Sequence, residues 1–379
     1  VRLMKSDSVR KSNIELLRII SMFMILTHHY VVNSGIMEGF GEGSTSINYI
    51  FLALFGMWGK TGVNIFVMIS GYFMCKSSLT IKRYCKVLFE YIFYLFVVYF
   101  ILLFMGYEVF SAERVKDILF GLFKYANASG NFVGSFFMFY LFIPFMNKFI
   151  QHLTKEEFRN FILLLLFVFT ILSTVFFNIF VFGEIFWFIT MYFVGAYLRL
   201  YSPSWANSLK TSGNLLIISI IISYASVVLM VIREQFMYTF YFVIDANKLG
   251  AVLVSVFMFT TFKNINIAYS KFINLVAKTS FGVLLLHANS NALRNFMWRE
   301  LLHVDTFYSL PLATLIIKSI VVSVGIFVVC SIIDMFRIYL FEKPLFDHFE
   351  PIENMILKTW SVIKKISFNI YNYVIRFVE

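Results

Sequence analysis

Long runs of mainly apolar residues recur along the whole chain. Ten of them can be placed, at 14–33, 59–74, 87–107, 132–150, 160–178, 184–201, 213–232, 248–262, 279–297 and 310–336. A helix of about 20 apolar residues crosses the hydrocarbon core of a bilayer. Because unpaired backbone groups are costly in lipid, a spanning segment is either a helix or part of a closed barrel. The length of these runs favours helices, so we predict an all-α polytopic membrane bundle of about ten transmembrane helices.

The composition agrees with a multi-pass membrane protein. Hydrophobic residues make up 60% of the chain, and the mean hydropathy is +0.81. Soluble domains are about 45–50% apolar even when glycine is counted. The net charge of +11 does not indicate nucleic-acid binding, because Lys and Arg of membrane proteins concentrate in loops, and no basic run of that type occurs.

The distribution of Lys and Arg predicts the orientation of the chain. The loops on the side of the N-terminus contain 22 of these residues, and the loops on the other side contain eight. The positive-inside rule therefore predicts that both termini lie in the cytoplasm. No small-residue cleavage site follows the first apolar run, so we expect a retained anchor and no signal peptide.

Three regions follow from this pattern. We assign residues 1–13 to a cytoplasmic N-terminal segment, 14–337 to the transmembrane domain and 338–379 to a cytoplasmic tail. In the tail, apolar residues recur every seven positions, at Ile356, Ile363, Ile370 and Phe377. This spacing predicts a basic amphipathic helix on the inner leaflet, with a coiled-coil contact as the alternative.

Two loops on the predicted outer side have features of their own. The loop at 33–58 is rich in glycine and ends in an apolar run, 47–58, which we interpret as a re-entrant or interfacial helix. The loop at 108–131 predicts a short amphipathic helix followed by a polar turn, NASGN. Cysteine is found at positions 75, 85 and 330, an odd number without metal-ligand spacing, so we predict neither a metal site nor a disulfide framework.

The first apolar run contains the ionisable residues Glu15, Arg18, His28 and His29. An ionisable side chain at membrane depth costs about 2.5–3.5 kcal/mol, so it usually faces the protein interior and marks a functional site. Arg18 and His29 are eleven positions apart, which brings them within about 20° of one helix face and about 16 Å apart along the axis. We expect Glu15, Arg18 and His29 to share that face and His28 to point about 100° away.

This helix resembles the first spanning helix of the integral-membrane acyltransferase-3 family of bacterial O-acyltransferases, with an acid, an Arg three residues later and a His eleven beyond it. Further matching pieces are GVNIFVMISGYF at 62–73, the basic pair Arg83 and Lys86, MYFVGAYLR at 191–199, SFGVLLLH at 280–287 and SIIDMFR at 331–337. Lys86 stands where the family motif has a second Arg. The resemblance covers roughly 13–337.

The resemblance implies an enzyme of the bacterial plasma membrane. Such an enzyme transfers an acyl group, first of all acetyl, from cytoplasmic acyl-CoA to a hydroxyl of a cell-surface or lipid-linked glycan. It implies acyl-CoA as a co-substrate, no tightly bound cofactor and no nucleic-acid partner. The oligomeric state stays open. The alternative functions are a polysaccharide polymerase or flippase and a secondary transporter, although the outer loops are short and no two-fold repeat of interrupted helices is visible.

The candidate catalytic residues are His29, Arg18, Glu15 and His287. Imidazole titrates near neutral pH, so His29 suits a general base or an acyl carrier, the alternative being a core histidine bonded to a backbone carbonyl. Arg18 would bind a phosphate or polarise the thioester carbonyl, with Glu15 orienting it, unless both simply reach the interface. His287, with the nearby Asn289 and Asn291, predicts an acceptor or acyl site, or else hydrogen bonds between helices.

The candidate donor-binding residues are Arg83, Lys86, Arg18, Ser70 and Asn64. Arg83 and Lys86 are about one helical turn apart, and they would attract the phosphates of acyl-CoA if they are not simply orientation signals. Glu90, four residues after Lys86, is expected to neutralise it. Ser70 and Asn64 would line a cavity or donate to an oxyanion, although small polar residues at helix contacts often serve packing alone.

Overall fold

A computed structural model describes residues 11–124, 132–176, 183–359, 361–362 and 365–366. Within these ranges the secondary structure is helical and no strand occurs. The α-helices are α1 Ser12–Asn33, α2 Ile47–Gly56, α3 Gly59–Met74, α4 Ile81–Phe104, α5 Ala112–Lys124, α6 Phe132–His152, α7 Lys155–Leu166, α8 Ser173–Val175, α9 Glu184–Leu200, α10 Leu209–Ile232, α11 Leu249–Asn264, α12 Lys271–Lys278, α13 Ser280–His287, α14 Asn291–Asn295, α15 Leu312–Arg337 and α16 Lys343–Asp347. A further helix follows at 350–359.

The described part of the chain contains seven helical segments that are long and apolar enough to cross a membrane. They are Ser12–Asn33, Ile47–Met74, Ile81–Phe104, Phe132–His152, Lys155–Val175, Leu209–Ile232 and Leu312–Asp347. The fold class is therefore all-α with membrane-spanning helices, but the predicted number of about ten is not confirmed. Two of the predicted spans, 184–201 and 248–262, form the helices α9 and α11, which have only 17 and 16 residues and are not among the seven.

The predicted helix at 279–297 is divided in two. α13 ends at His287, and α14 begins at Asn291 after Ser290 accepts a hydrogen bond from the Leu293 amide. Asn289 donates to the Leu285 carbonyl at 3.1 Å. Short polar side chains compete for backbone groups in this way and interrupt helices. His287 is therefore the last residue of a helix, and the expectation that it lies in the middle of one is wrong.

Polar side chains also determine where several helices begin. Ser46, Thr80, Ser208 and Ser270 each accept a hydrogen bond from the backbone amide three residues later. Thr154 goes further, because it forms a reciprocal capping box with Glu157 at the start of α7. A cap of this kind stabilises a helix by about 1 kcal/mol.

Helix α3 lies at the centre of the bundle, in contact with α1, α9 and α11. Its closest neighbour is α9, because glycine allows the two backbones to meet. A Cβ atom on Gly71 would lie 2.2 Å from the Tyr192 carbonyl oxygen, and one on Gly195 would lie 2.3 Å from the Met68 carbonyl oxygen. Small residues permit such close packing of membrane helices, where the hydrophobic effect does not drive association.

Hydrogen bonds between the ends of different helices distinguish the two ends of the bundle. At the end where α1 begins, Asn13 donates to the Phe262 carbonyl at 2.9 Å, and Asn147 donates to the Met74 carbonyl at 2.9 Å. We call this the N-terminal end. At the opposite end, which we call the far end, Tyr241 donates to the Thr174 carbonyl at 2.5 Å. This grouping follows the alternation of loops expected from the apolar runs.

Helix continues past Arg337, the last residue assigned to the transmembrane domain. A π-helical segment, Ile338–Glu342, connects α15 directly to α16. The Arg337 guanidinium is buried and contacts Glu342 on the same continuous helix at 2.7 Å, which favours helix across the expected boundary. Of the tail residues spaced by seven, Ile356 is in the helix at 350–359, whereas Ile363, Ile370 and Phe377 lie outside the described residues, as does the NASGN turn.

Each of the two loops predicted to be on the outer side contains a helix. α5 covers Ala112–Lys124, and the apolar run at 47–58 forms α2, Ile47–Gly56. α2 leads almost directly into α3, and the two together form one of the seven long apolar segments, Ile47–Met74. α2 packs against α1 beside its histidines.

Candidate active site

The ionisable residues of α1 occupy two depths of the bundle. Near its start, Arg18 Nε lies 3.6 Å from Glu15 Oε2, and the Glu15 side chain is only 5% exposed whereas that of Arg18 is 25% exposed. The two side chains therefore form an ion pair across one turn of α1. His29 lies about 16 Å further along the axis of α1, at the helical rise of about 1.5 Å per residue.

His29 is paired with His287, which is 258 residues away in the chain. His29 Nδ1 lies 2.9 Å from His287 Nε2, and the two ring centroids are 5.1 Å apart. His287 is fully buried at the end of α13, and His29 is partly exposed. The sequence marks both residues separately, but only the packing of α13 against α1 brings them together.

The hydrogen bonds of this pair determine which ring nitrogens hold protons when both rings are neutral. His287 Nδ1 lies 2.6 Å from the Val283 carbonyl oxygen. A carbonyl oxygen only accepts, so His287 Nδ1 must donate, and its Nε2 is then an acceptor. His29 Nδ1 in turn donates to His287 Nε2, which leaves His29 Nε2 with a free lone pair. His29 is therefore arranged to accept a proton at Nε2.

His28 has a structural role in this arrangement. Its Nδ1 lies 2.8 Å from the Gly56 carbonyl oxygen at the end of α2, and its ring centroid lies 5.8 Å from that of His29. A Cβ atom on Gly59 would lie 2.4 Å from His28 Cγ, so the ring is tightly packed there. The two neighbouring histidines thus have different partners: His28 contacts a backbone carbonyl of α2, and His29 contacts His287 of α13.

A cavity of about 200 Å³ lies beside Arg18, towards the N-terminal end. The polar residues that line it are Arg18, Ser70, Glu90, Tyr140, Lys278 and Ser280, and the aromatic residues include Phe66, Phe73 and Phe136. The Arg18 guanidinium lies 5.9 Å from the centroid of the Phe66 ring. Among these residues, the sequence predicts a donor-binding role for Arg18 and Ser70, but it does not predict one for Lys278, Ser280 or Tyr140. The motif at 280–287 is a signal for Ser280, which is its first residue, and for Lys278, which lies two residues before it.

Asn64 does not line this cavity. It is fully buried, accepts a hydrogen bond from Trp187 Nε1 at 2.8 Å and donates to the Ala246 carbonyl at 2.6 Å. These contacts connect α3 to α9 and to the segment before α11. Ser70, which does line the cavity, donates to the Phe66 carbonyl at 3.2 Å, one turn earlier in α3.

Lys86 and Glu90 belong to a buried charge network centred on Arg337. The Arg337 guanidinium contacts Glu90 at 3.2 Å, Asp334 at 2.6 Å and Glu342 at 2.7 Å. Lys86 Nζ lies 3.1 Å from Glu342 Oε1. Glu90 thus pairs with Arg337, and the expectation that it neutralises Lys86 is wrong. Helix spacing placed Glu90 near Lys86, but α15 supplies a closer cation.

Arg83 lies in a different environment from Lys86. Its guanidinium Nη1 donates to Ser77 Oγ at 3.4 Å and to the Ser78 carbonyl at 3.3 Å, in the connection between α3 and α4. Both distances are long, and the side chain lies in an exposed region. The structure therefore separates the two residues of the basic pair, with Lys86 held in the network and Arg83 at the surface.

The described residues contain no group of three or more His, Cys, Asp or Glu side chains that could hold a metal ion. The three cysteines are free thiols. The histidine pair has two ring nitrogens facing one another, which is the geometry of a hydrogen bond between them.

Fold and site together define a class, that of multi-pass helical membrane proteins with a hydrogen-bonded pair of histidines inside the bundle. The model of the acyltransferase-3 family, described as an acyltransferase domain, matches residues 11–335, and the chain belongs to this family. No curated protein and no solved structure matches the chain significantly. Family membership supports a membrane acyltransferase.

Proposed function

We propose that the protein transfers an acyl group from cytoplasmic acyl-CoA to a hydroxyl of a cell-surface or lipid-linked glycan, with acetyl as the acyl group. The observation that carries the proposal is the hydrogen-bonded sequence from His29 through His287 to the Val283 carbonyl. It leaves His29 Nε2 as a proton acceptor inside an acyltransferase-family bundle. Acyl transfer to a hydroxyl needs such an acceptor, because a neutral hydroxyl is a weak nucleophile.

In the first step His29 Nε2 removes the proton of the acceptor hydroxyl as its oxygen attacks the thioester carbonyl carbon. The new C–O bond forms, and the carbonyl electrons move onto the oxygen. When the carbonyl re-forms, the C–S bond breaks and the thiolate of CoA leaves. The thiolate then takes the proton from His29 Nε2, so that the enzyme returns to its starting state without net gain or loss of a proton.

His287 acts on this reaction through His29. It holds Nδ1–H of His29 in a hydrogen bond and thereby orients the ring and keeps Nε2 free. His287 is a neutral imidazole in this arrangement, so it adds no charge to the resting site, whereas a carboxylate in its place would add a negative charge. We regard His287 as a positioning residue and His29 as the catalytic base.

We assign Arg18 to the phosphates of the donor. Arg18 and His29 are about 16 Å apart along α1, so a single thioester carbonyl cannot contact both. Arg18 and Lys278 line the same cavity near the N-terminal end and would attract an anionic group there. An extended pantetheine arm could then reach from this cavity toward His29. Arg83 would add positive charge nearer the surface, whereas Lys86 is engaged by Glu342.

The proposed location is the bacterial plasma membrane with both termini in the cytoplasm. The N-terminal end of the bundle would then face the cytoplasmic acyl-CoA, and the far end would face the glycan. The excess of Lys and Arg in loops of the N-terminal end supports this orientation.

The decisive experiment compares His29→Ala with the matched control His28→Ala. Without the base, we expect transfer of radiolabelled acetyl from acetyl-CoA to isolated surface glycan to fall on the order of 10²- to 10⁴-fold. His28→Ala should retain much of the activity, because it loses a bond to a backbone carbonyl and no reacting group.

Both variants must be purified and tested for acetyl-CoA binding and thermal unfolding before transfer is measured. A folded His29→Ala protein that binds donor and transfers at the wild-type rate would exclude His29 as the base. A wild-type protein that transfers no acyl group to any isolated glycan would overturn the proposed function itself.

A further inference from the structure

A polar groove opens at the far end of the bundle, between α4, α5 and the segment that joins α13 to α14. It consists of two adjoining cavities of about 210 and 470 Å³. Both are lined by Glu108, Arg114, Asn289 and Ser290. The larger, more open cavity also reaches Arg294. These residues take no part in the proton transfer described above.

Two residues that line the groove connect it to the helices of the histidine pair. Arg294 Nη1 donates to Asn33 Oδ1 at 3.4 Å, and Asn33 is one helical turn beyond His29 on the same face of α1. On the other side, Asn289 is two residues after His287. A residue that lines the groove thus contacts α1 about one helical turn from His29.

The charges of the groove are balanced. Arg114 and Arg294 are cationic, and Glu108 and Asp117 are anionic. Among the described residues, the Glu108 carboxylate and the Arg114 guanidinium make no side-chain hydrogen bond or ion pair with one another or with a third group. A site for a phosphate or a uronate would be expected to have surplus positive charge. This groove offers both donors and acceptors without such a surplus.

One wall of the groove is apolar. Helix α4 contributes Leu95, Val98 and Leu102 from a single face, together with the rings of Tyr91 and Tyr99. The groove is also lined by the carboxylates of Glu108 and Asp117, the guanidinium groups of Arg114 and Arg294 and the amide of Asn289. A sugar ring has the same two kinds of surface, since its C–H faces are apolar and its hydroxyls both donate and accept. Carboxylates accept from hydroxyls, and guanidinium and amide groups donate to them.

We propose that this groove binds an uncharged sugar unit of the acceptor and presents one of its hydroxyls to His29. The purpose of the site rests on the proposed acyl transfer, but sugar binding itself does not require the donor. The groove thus determines which glycans are accepted, and the histidine pair determines what is done to them.

Sugar binding is tested with an array of neutral and uronate-containing oligosaccharides, to which purified protein is applied in detergent without acyl-CoA. We expect the wild-type protein to be retained on neutral glycans. Glu108→Ala and Arg114→Ala should each reduce retention at least about tenfold, because each loses a charge-assisted hydrogen bond. Glu108→Lys gives the groove surplus positive charge and should shift retention toward uronate-containing glycans.

The matched control is Arg159→Ala, since Arg159 is exposed near the start of α7 and its guanidinium contacts only the adjacent Asn160 among the described residues. It should bind like the wild-type protein. Absence of wild-type retention on every neutral glycan would overturn the proposal, and so would equal retention by the groove variants and the control. A protein that binds neutral glycans yet transfers no acyl group would leave the groove assignment standing and refute the proposed reaction.

Discussion

At the scale of the residue, the main finding is that one histidine controls the proton of another. The Val283 carbonyl can only accept, so it determines the tautomer of His287, and His287 determines that of His29. The chemistry of the candidate site is therefore directed by a backbone oxygen that no side-chain motif would reveal. This arrangement can be examined separately from the base itself by changing His287.

We expect His287→Ala to lower kcat on the order of tenfold, the effect of one lost hydrogen bond to an ionising group. The KM for acyl-CoA should not change, because His287 does not line the cavity beside Arg18. His287→Gln should recover part of the loss, since its amide oxygen can accept from His29 Nδ1. Steady-state kinetics of the three proteins provides the measurement, and a loss in Gln as large as in Ala would argue against the positioning role.

At the scale of the element, α3 and α9 form a close backbone-to-backbone contact within the bundle. The two helices approach at Gly71 and Gly195, where each backbone touches a carbonyl of the other helix. α3 also carries Ser70 and Phe66 of the cavity. Any change that separates α3 from α9 should therefore disturb both stability and the donor cavity.

Gly195→Ala should destabilise the protein by about 1–3 kcal/mol, the usual cost of overpacking a tight contact. Its added Cβ would lie 2.3 Å from a backbone oxygen, which cannot move aside as a flexible side chain could. Gly325→Ala is the control, because a Cβ there meets nothing within 4 Å. Thermal unfolding in detergent measures both, and equal melting temperatures for the two variants would contradict the packing argument.

At the scale of the whole molecule, the candidate functions are arranged along the bundle. The cavity with Arg18 and Lys278 lies toward the N-terminal end, the histidine pair lies deeper, and the balanced groove opens at the far end. A donor and an acceptor on opposite sides of a membrane would need such an order. The proposal therefore depends on which end faces the cytoplasm.

We expect the N-terminal end to be cytoplasmic, and single cysteines can test this in a protein with Cys75, Cys85 and Cys330 replaced by Ala. The native thiols are poor reporters, since burial raises the pKa of the Cys75 thiol to about 11 and leaves little thiolate at neutral pH. Glu42→Cys and Ser78→Cys introduce exposed thiols at the far end and the N-terminal end.

An impermeant maleimide should label Glu42→Cys in intact cells and Ser78→Cys only after the membrane is permeabilised. The same two variants in permeabilised cells control for reactivity, because both should then be labelled. The reverse pattern in intact cells would invert the orientation and place the proposed donor cavity on the wrong side.

The sequence by itself determined the class of fold, the family and most helix positions. These depend on local properties, namely the length of apolar runs and the spacing of motifs within one helix. It also identified Arg18, His29 and His287 one at a time, because an ionisable residue at membrane depth is costly and stands out. The number of about ten spanning helices was not confirmed, because α9 and α11 have only 17 and 16 residues and because Asn289 and Ser290 interrupt the helix predicted at 279–297.

Only the tertiary structure decided which of these residues meet. His29 and His287 are 258 residues apart, and Lys86 and Glu342 are 256 apart. Pairing over such distances depends on how α1, α4, α13 and α15 pack, which helical periodicity does not specify. For the same reason, helical periodicity predicted that Glu90 pairs with Lys86. In the folded chain, the buried Arg337 forms the ion pair with the Glu90 carboxylate. Helix spacing reports neighbours on one helix, but a buried charge is neutralised by whichever opposite charge the packing brings into contact with it.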